Sequence, residues 1–95
     1  MVLQMVKFET KLFFEDVLNV AQGRAPEFRK VLGLIQKYYV RASRPNQYAG
    51  VYIWDSADSM KKYRESDLAA SIPQAYKVLA PPETEVYEVA FSLRD

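Results

Sequence analysis

The 95-residue chain contains neither histidine nor cysteine. Imidazole is the commonest transition-metal ligand and the usual general base near neutral pH, so its absence excludes histidine-dependent triads and histidine-ligated haem. Without cysteine there is no disulfide framework, no zinc-thiolate site and no thiol nucleophile. We therefore expect no metal centre and no cofactor, and the cytoplasm is the simplest location for a chain without disulfides.

Long apolar runs and an excess of one charge are also missing. No apolar stretch approaches the roughly 18 residues of a membrane span, and residues 1–8 alternate like a strand instead of showing the pattern of a targeting signal. Thirteen basic and twelve acidic residues are interspersed along the chain and give a net charge of +1. These features favour neither a membrane nor a nucleic acid as a partner.

Apolar side chains are plentiful, at 49% of residues, and 14% of residues are aromatic. This is enough for one core, but the chain is too short for a second domain, so residues 1–95 are predicted to form a single domain. A domain of this size buries only about 60 to 65% of the surface of its unfolded chain. Further apolar burial by self-association would therefore stabilise it.

Four segments alternate between apolar and polar residues with the two-residue period of a β-strand. They cover residues 2–9, 34–41, 48–54 and 85–93. The segment Arg44-Pro45-Asn46 is typical of a turn, so the second and third strands are predicted to form a hairpin.

Two helical regions separate these strands. A 3.6-residue apolar period predicts an amphipathic helix from Phe14 to about Leu32, ended by the following glycine and kinked or broken at Pro26. Ser56 is placed to cap a second helix, and Ser66 a short helix through Ile72. The order of elements predicts an α+β, ferredoxin-like βαββαβ fold, in which a four-stranded antiparallel sheet carries the helices on one face.

Both faces of the predicted sheet carry apolar or aromatic groups. The second strand places Tyr38 on one face and Tyr39 on the other, and the third strand alternates Tyr52 with Ile53. A sheet with one face in water should alternate more cleanly, and soluble monomers seldom expose a large aromatic patch. We therefore expect a symmetric homodimer that covers the face opposite the helices. The plainer alternative is that the tyrosines lie across a solvated sheet.

A short pattern marks the junction between the third strand and the second helix. Trp54-Asp55-Ser56 is followed by Met60, by Tyr63 three positions later, and then by Ser66-Asp67. This pattern resembles the dimeric α+β barrel superfamily, which includes antibiotic-biosynthesis-monooxygenase-like proteins. The whole chain also resembles the small monooxygenases of the YdhR type. That likeness lies in Lys11-Leu12, Arg24-Ala25-Pro26, Gly33-Leu34, Gln36-Lys37-Tyr38-Tyr39 and the strand from Gly50 to Trp54.

The resemblance implies a pocket between the sheet and the helices of each subunit. In this superfamily such a pocket serves cofactor-free oxygenases, haem degraders and lactone isomerases. Haem-degrading members use a histidine at the place of Ile72-Pro73 and an asparagine on the first strand, where Gln4 is a loose substitute. Because both are missing here, the resemblance implies a cofactor-independent monooxygenase rather than a haem degrader.

A cofactor-free oxygenase needs an electron-rich substrate, such as a phenol or enol, and groups that bind its ring and favour its deprotonated form. Without histidine, proton removal would depend on a carboxylate such as Asp67, on a tyrosine such as Tyr63 or on water, and Arg64 or Arg24 could stabilise a phenolate if either points inward. The predicted catalytic set is Tyr63, Asp67 and Arg64. The predicted substrate-binding residues are Trp54, Tyr38, Gln36, Phe28 and Arg24.

Each of these residues also has a structural interpretation. The aromatic candidates have spacing that is typical of a core. Asp67 beside a serine is typical of a helix cap, and arginines are usually solvated. Gln36 and Gln4 are the stronger signals, because an amide on an apolar face needs a partner and sometimes finds it in a ligand.

Three classes of function remain. The first is an oxygenase or isomerase that acts on an aromatic or polycyclic small molecule, and the second is a ligand-binding or stress-response protein without turnover. The third is RNA binding, because RNA-recognition motifs share the βαββαβ order. Those motifs stack bases on aromatic rings where this chain has Ala49 and Val51, so RNA binding ranks last.

Overall fold

The computed structural model describes residues 1–94, and Asp95, the last residue of the predicted domain, lies outside the described residues. The described chain forms one sheet and a helical layer. The strands are β1 (Val2–Glu9), β2 (Leu34–Arg41), β3 (Gln47–Trp54) and β4 (Glu83–Glu88). The helices are α1 (Phe14–Arg29), α2 (Ala57–Arg64), α3 (Asp67–Ala70) and α4 (Ile72–Ala75).

The strands pair antiparallel in the order β2-β3-β1-β4. The first and third strands are therefore central, and the second and fourth are at the edges. With α2, α3 and α4 as the second helical region, this is the predicted ferredoxin-like βαββαβ fold, which is confirmed. The bounds of β1 and β2 agree with the alternation in the sequence, and β3 begins one residue earlier than predicted.

The last strand is shorter than predicted. Pairing between β4 and β1 ends where Glu88 faces Val2, and one more hydrogen bond joins the Val89 N–H to the Met1 carbonyl. Beyond that point residues 89–94 belong to no strand. Phe91 and Leu93 continue the apolar alternation but are 81% and 85% exposed, so the prediction of a strand to residue 93 was wrong.

The first helix is continuous through Pro26 and ends at Arg29. Its buried stripe contains Val17, Ala21 and Phe28 and therefore spans the proline. This packing offsets the backbone hydrogen bond that proline cannot donate, so of the kink or break predicted at Pro26 the break did not occur. The predicted extension to residue 32 was also wrong. Gly33 lies beyond the helix at a φ of 82°, a conformation that glycine adopts without strain.

Both predicted serine caps are confirmed. The Ser56 hydroxyl accepts from the Ser59 N–H at 3.2 Å, and the Ser66 hydroxyl accepts from the Ala69 N–H at 3.2 Å. The short helix predicted after Ser66 is divided into α3 and α4, because Pro73 has no N–H to continue the first of them. None of the helices in residues 1–94 is long and apolar enough to cross a membrane.

The helices pack on one face of the sheet. Residues paired across antiparallel strands point to the same face, and the buried cluster of the helices joins Tyr48, Tyr52 and Trp54 of β3. We call the opposite side the open face. Its apolar and aromatic residues include Leu3, Met5, Tyr38, Val51, Ile53 and Tyr87.

An irregularity at the start of β2 changes which residues face the helices. Leu34 pairs with Trp54, but Gln36 pairs with Ile53, so Ile35 is an extra residue in β2. A bulge of this kind inverts the alternation that follows it. Leu34 and Lys37 therefore share the helix-facing side, although simple alternation would place them on opposite faces.

Candidate functional site

A cavity of about 140 Å³ lies between α1 and the helix-facing side of β1, β2 and β3. Among the described residues that line it, Lys37 and Arg41 are the charged ones, and none is a carboxylate. We call it the Lys37 cavity. Its other walls are apolar or aromatic and include Phe14, Leu18, Tyr39, Tyr48, Tyr52 and Tyr76.

Gly50 provides the space at the sheet side of this cavity. It lies on the helix-facing side of β3 and is paired with Tyr39 of β2 and Val6 of β1. A Cβ at this position would lie 3.0 Å from Cε1 of Tyr52 and 3.4 Å from Cε of Lys37. A larger residue would therefore push on both walls, and the glycine keeps the cavity open.

The Lys37 side chain lies among aromatic rings. Its Nζ is 3.4 Å from the ring centroid of Phe28, 4.5 Å from that of Tyr39 and 4.6 Å from that of Tyr52. Lys37 takes part in none of the ion pairs found within residues 1–94. Ring faces attract a cation, but they replace its hydration only in part.

Burial, together with the nearby Arg24 guanidinium, lowers the pKa of Lys37 to about 7. Both the ammonium and the free amine are therefore populated at neutral pH, which suits a group that accepts and returns a proton. The pKa values of the neighbouring tyrosine hydroxyls shift in the opposite direction. Burial raises the pKa of Tyr76 to about 12 and also raises the pKa values of Tyr39 and Tyr52, so these hydroxyls stay neutral.

Three of the predicted site residues, Trp54, Tyr63 and Phe28, come together in one aromatic cluster around Tyr52. The Trp54 and Tyr52 rings stack with centroids 6.0 Å apart, and the Tyr52 and Tyr63 hydroxyls are 3.2 Å apart. Trp54 is fully buried. Trp54 and Tyr63 are outside the lining of the Lys37 cavity, whereas the Phe28 ring lies directly beneath the Lys37 ammonium.

The Trp54 indole N–H donates to Oε1 of Gln4 at 2.9 Å. Gln4 is 2% exposed, and this hydrogen bond gives its buried amide oxygen a partner within the protein. This pair explains the glutamine on the apolar face of β1 as part of the core.

The predicted catalytic residues Tyr63, Arg64 and Asp67 are not assembled at one place. Tyr63 and Arg64 line a second, more polar groove between the α2–α4 region and β1 and β4. Asp67 is exposed at the first position of α3, outside that groove. Burial raises the pKa of Tyr63, which makes it a poor base at neutral pH. Within residues 1–94, no group of three or more acidic side chains could hold a metal ion.

Arg24 holds the helices together. Its Nη2 donates to the Ser71 hydroxyl at 2.8 Å and to the Leu68 carbonyl at 3.3 Å, which ties α1 to the segment around α3. Its Nε is buried without a hydrogen-bond partner in the described residues. Arg24 therefore acts on the site through its charge beside Lys37 and does not line the cavity.

Gln36 and Tyr38 lie outside the predicted pocket. The bulge at Ile35 places both on the open face, where Gln36 pairs with Ile53 and Tyr38 with Val51. Tyr38 is 55% exposed in the single chain, and Oε1 of Gln36 accepts from its neighbour's backbone N–H at 3.0 Å. Their placement between sheet and helices is thus corrected.

Sequence reasoning did not select Lys37, Gly50 or Arg41. The available signal was modest: a lysine that alternates with Tyr39 and Arg41, and a glycine flanked at two-residue spacing by Tyr48 and Tyr52. Arg41 reaches the cavity from the end of β2, where its guanidinium lies 4.2 Å from the Phe14 ring centroid. Only the three-dimensional arrangement shows that these residues meet.

Comparison with protein-family models and with curated proteins finds no match. Solved structures do match along nearly the whole chain. A candidate antibiotic biosynthesis monooxygenase from Deinococcus radiodurans has a TM-score of 0.77 at 15% identity, with 100% of this chain and 98% of that one covered. SnoaB, a cofactor-independent oxygenase from Streptomyces nogalater, has a TM-score of 0.77 at 14% identity, with 99% and 97% covered. A protein of unknown function from Nitrosomonas europaea has a TM-score of 0.77 at 16% identity, with 96% and 90% covered.

At these identities the likeness shows the fold alone. The resemblance to antibiotic-biosynthesis-monooxygenase-like proteins is confirmed at that level, and the assignment to the YdhR type stays a prediction.

Proposed function

We propose that this protein is a cofactor-independent monooxygenase whose small aromatic substrate binds in the Lys37 cavity. The observation that carries the proposal is the half-buried amine of Lys37, which has a pKa of about 7 and lies in an aromatic cavity without a carboxylate partner. The match in fold to a cofactor-independent oxygenase supports the same class of reaction.

The cavity walls suit a planar ring. Tyr39, Tyr48 and Tyr52 offer flat apolar surfaces with hydroxyls at their ends, and Arg41 adds a positive charge at the end of β2. Ligand pockets usually exceed about 300 Å³, so a cavity of about 140 Å³ favours the smaller members of the aromatic and polycyclic class.

The chemistry can proceed with molecular oxygen alone. The free amine of Lys37 takes a proton from the phenol or enol, and the resulting ammonium stays beside the oxyanion. The anion transfers an electron to O2, and the two radicals combine to form a carbon–oxygen bond. Lys37 returns its proton to the peroxide, and the hydroperoxide then eliminates water with the hydrogen of the same carbon. One oxygen atom ends in a new carbonyl group and the other in water.

Oxygen uptake tests this proposal directly. Purified protein should accelerate O2 consumption by naphthol-like compounds more than by the larger anthrone-like compounds, and labelled O2 should place one oxygen atom in the quinone product. Lys37→Arg keeps the charge but cannot accept a proton near neutral pH, so the rate should fall by about 100-fold or more. Lys7→Arg lies on the open face, opposite the cavity, and keeps the charge that pairs with Glu85, so it is the matched control and should keep the full rate. Equal uptake with and without protein across the panel would contradict the proposal.

The second candidate is a binding or stress-response protein without turnover. The scattered positions of Tyr63, Arg64 and Asp67 favour it, because the predicted catalytic set does not meet at one point. This alternative predicts that an aromatic ligand raises the melting temperature and is recovered unchanged by mass spectrometry.

We also propose that the protein works in the cytoplasm as a symmetric homodimer paired through the open face. Tyr38 and Tyr87 are 55% and 51% exposed in the single chain and lie beside half-buried Met5 and Ile53. A contiguous surface of this kind is typical of a self-complementary interface.

A further inference from the structure

We infer that Lys37 is also a covalent attachment site, whose amine condenses reversibly with planar aromatic aldehydes that enter the Lys37 cavity. The product would be an imine on Nζ. This activity goes beyond oxygenation, because it needs neither O2 nor an acidic hydroxyl on the ligand.

The position of Lys37 makes its amine accessible from two sides. The side chain lines the Lys37 cavity and also a groove at the edge of the sheet, formed by α1 and the start of β2. Its Nζ contacts ring faces instead of a carboxylate. By contrast, Nζ of Lys7 lies 2.8 Å from a carboxylate oxygen of Glu85. An ion pair of that kind would have to break before the amine could react, whereas Lys37 has none to break.

The cavity has room for the carbonyl group beside this amine. Gly50 leaves open the space next to Cε of Lys37 that a Cβ would occupy at 3.4 Å. The rings of Tyr39 and Tyr52 can hold an aryl group while its carbonyl carbon approaches Nζ. Apolar walls also limit the water that would hydrolyse the imine.

The amine must be uncharged to attack a carbonyl carbon. The groups that face it are Arg24 from α1, Tyr39 on its own strand and Tyr52 from β3. The guanidinium disfavours a second positive charge, and both phenols stay neutral because burial raises their pKa values. With the pKa of Lys37 lowered to about 7, a large fraction of this amine is nucleophilic at neutral pH.

The reaction balances without an oxidant or reductant. A bond forms between Nζ and the carbonyl carbon while the carbon–oxygen double bond opens. The nitrogen then gives up its two hydrogens, and the oxygen leaves with them as water. Any residue that exchanges protons with solvent can assist these proton transfers. The imine and the aldehyde remain at equilibrium.

Reductive trapping provides the test. The full chain is incubated without oxygen at pH 7 with 2-naphthaldehyde and cyanoborohydride, and the labelled amines are located by peptide mapping. Lys37 should be labelled at least about tenfold faster than any other lysine, since an ordinary lysine is almost wholly protonated at this pH. Its labelling should saturate with aldehyde, whereas that of the α-amino group of Met1 should rise in proportion. Labelling spread over the lysines according to their exposure would overturn the inference.

Three variants test whether the labelled amine belongs to a binding site or is only a reactive amine at the surface. Lys37→Arg should abolish the saturable label, and Lys7→Arg should leave it unchanged. Gly50→Ala retains the amine but narrows the cavity, so the labelling of Lys37 should fall by about tenfold if the aldehyde must enter there. Unchanged labelling in Gly50→Ala would contradict entry through the cavity. Since the experiment excludes oxygen, its outcome is independent of whether the protein is an oxygenase.

Discussion

Two lysines on opposite faces of the same sheet have contrasting environments. Lys7 on the open face forms an ion pair with Glu85 that is exposed in the single chain, and a hydrogen bond from its ammonium to that carboxylate raises its pKa. Lys37 on the helix-facing side lies over rings, and burial lowers its pKa to about 7. The residue type is the same, so the difference comes from burial and from the missing carboxylate. A lysine becomes chemically useful where the fold destabilises its charge.

The largest expected effect comes from disrupting the open face. Tyr38→Lys adds a charge to the proposed dimer contact, where a buried unpaired charge costs several kcal/mol. Sedimentation at micromolar concentration should then show the mass of a single chain, whereas the unchanged protein shows twice that mass. Leu32→Lys, in the turn after α1 and 89% exposed, is the matched control and should stay dimeric. A single-chain mass for the unchanged protein would show that no such dimer forms.

The next effect concerns the helix-facing side. Trp54→Ala removes a fully buried ring and leaves the Gln4 amide without its partner, so it should lower the free energy of unfolding by about 3 to 5 kcal/mol. Urea denaturation at fixed protein concentration measures this change. Leu32→Ala, at a solvated position, should stay within about 0.5 kcal/mol of the unchanged protein. Similar losses of unfolding free energy in the two variants would contradict the assignment of Trp54 to the core and of Leu32 to the surface.

A smaller effect is the contribution of Lys37 to the pH dependence of the free energy of unfolding. The pKa of Lys37 is about 7 in the folded chain, against a reference value of 10.5. Below pH 7 Lys37 is therefore protonated in both the folded and the unfolded state, and its buried charge lowers the free energy of unfolding by its full amount. Between pH 7 and 10.5 the unfolded chain binds more protons, and the free energy of unfolding rises with pH. Lys37→Met should remove this rise. It should also stabilise the protein at pH 6 by about 1 to 3 kcal/mol, allowing for solvent screening.

Lys7→Met is the control and should show the smallest effect, with the opposite sign. The folded-state pKa of Lys7 lies above 10.5, so the stabilisation from its pair with Glu85 is present below that pH and is lost as pH rises further. Salt screens an exposed pair of this kind. Parallel pH curves for the unchanged protein and Lys37→Met between pH 7 and 10 would show that the ammonium of Lys37 is not destabilised by burial.

Much of the fold could be predicted because local chemistry determines it. Alternation alone located β1 and β2, and the hydroxyls of Ser56 and Ser66 marked the starts of two helices. The predictions that failed concern features that depend on residues distant in the sequence. The length of β4 depends on its pairing with β1, and the continuity of α1 through Pro26 depends on packing against the sheet.

The candidate site was less predictable for the same reason. Sequence spacing identified Trp54, Phe28 and Tyr63 as neighbours but could not tell core from cavity, since both use buried aromatic rings. Lys37 and Gly50 become a site only when two strands pair in one register beneath α1. A pairing register cannot be read from either strand alone.

The extra residue in β2 has an evolutionary consequence. Because Ile35 has no partner of its own in β3, its deletion would leave a regular strand in which Leu34 and Lys37 keep their partners Trp54 and Tyr52. If Ile35 instead took the place of Gln36 opposite Ile53, the Gln36 amide would turn toward the helices and the Lys37 amine away from them. The start of β2 can thus lose a residue without moving the reactive group, whereas a slip of one residue in the pairing would replace a nucleophile with a neutral amide.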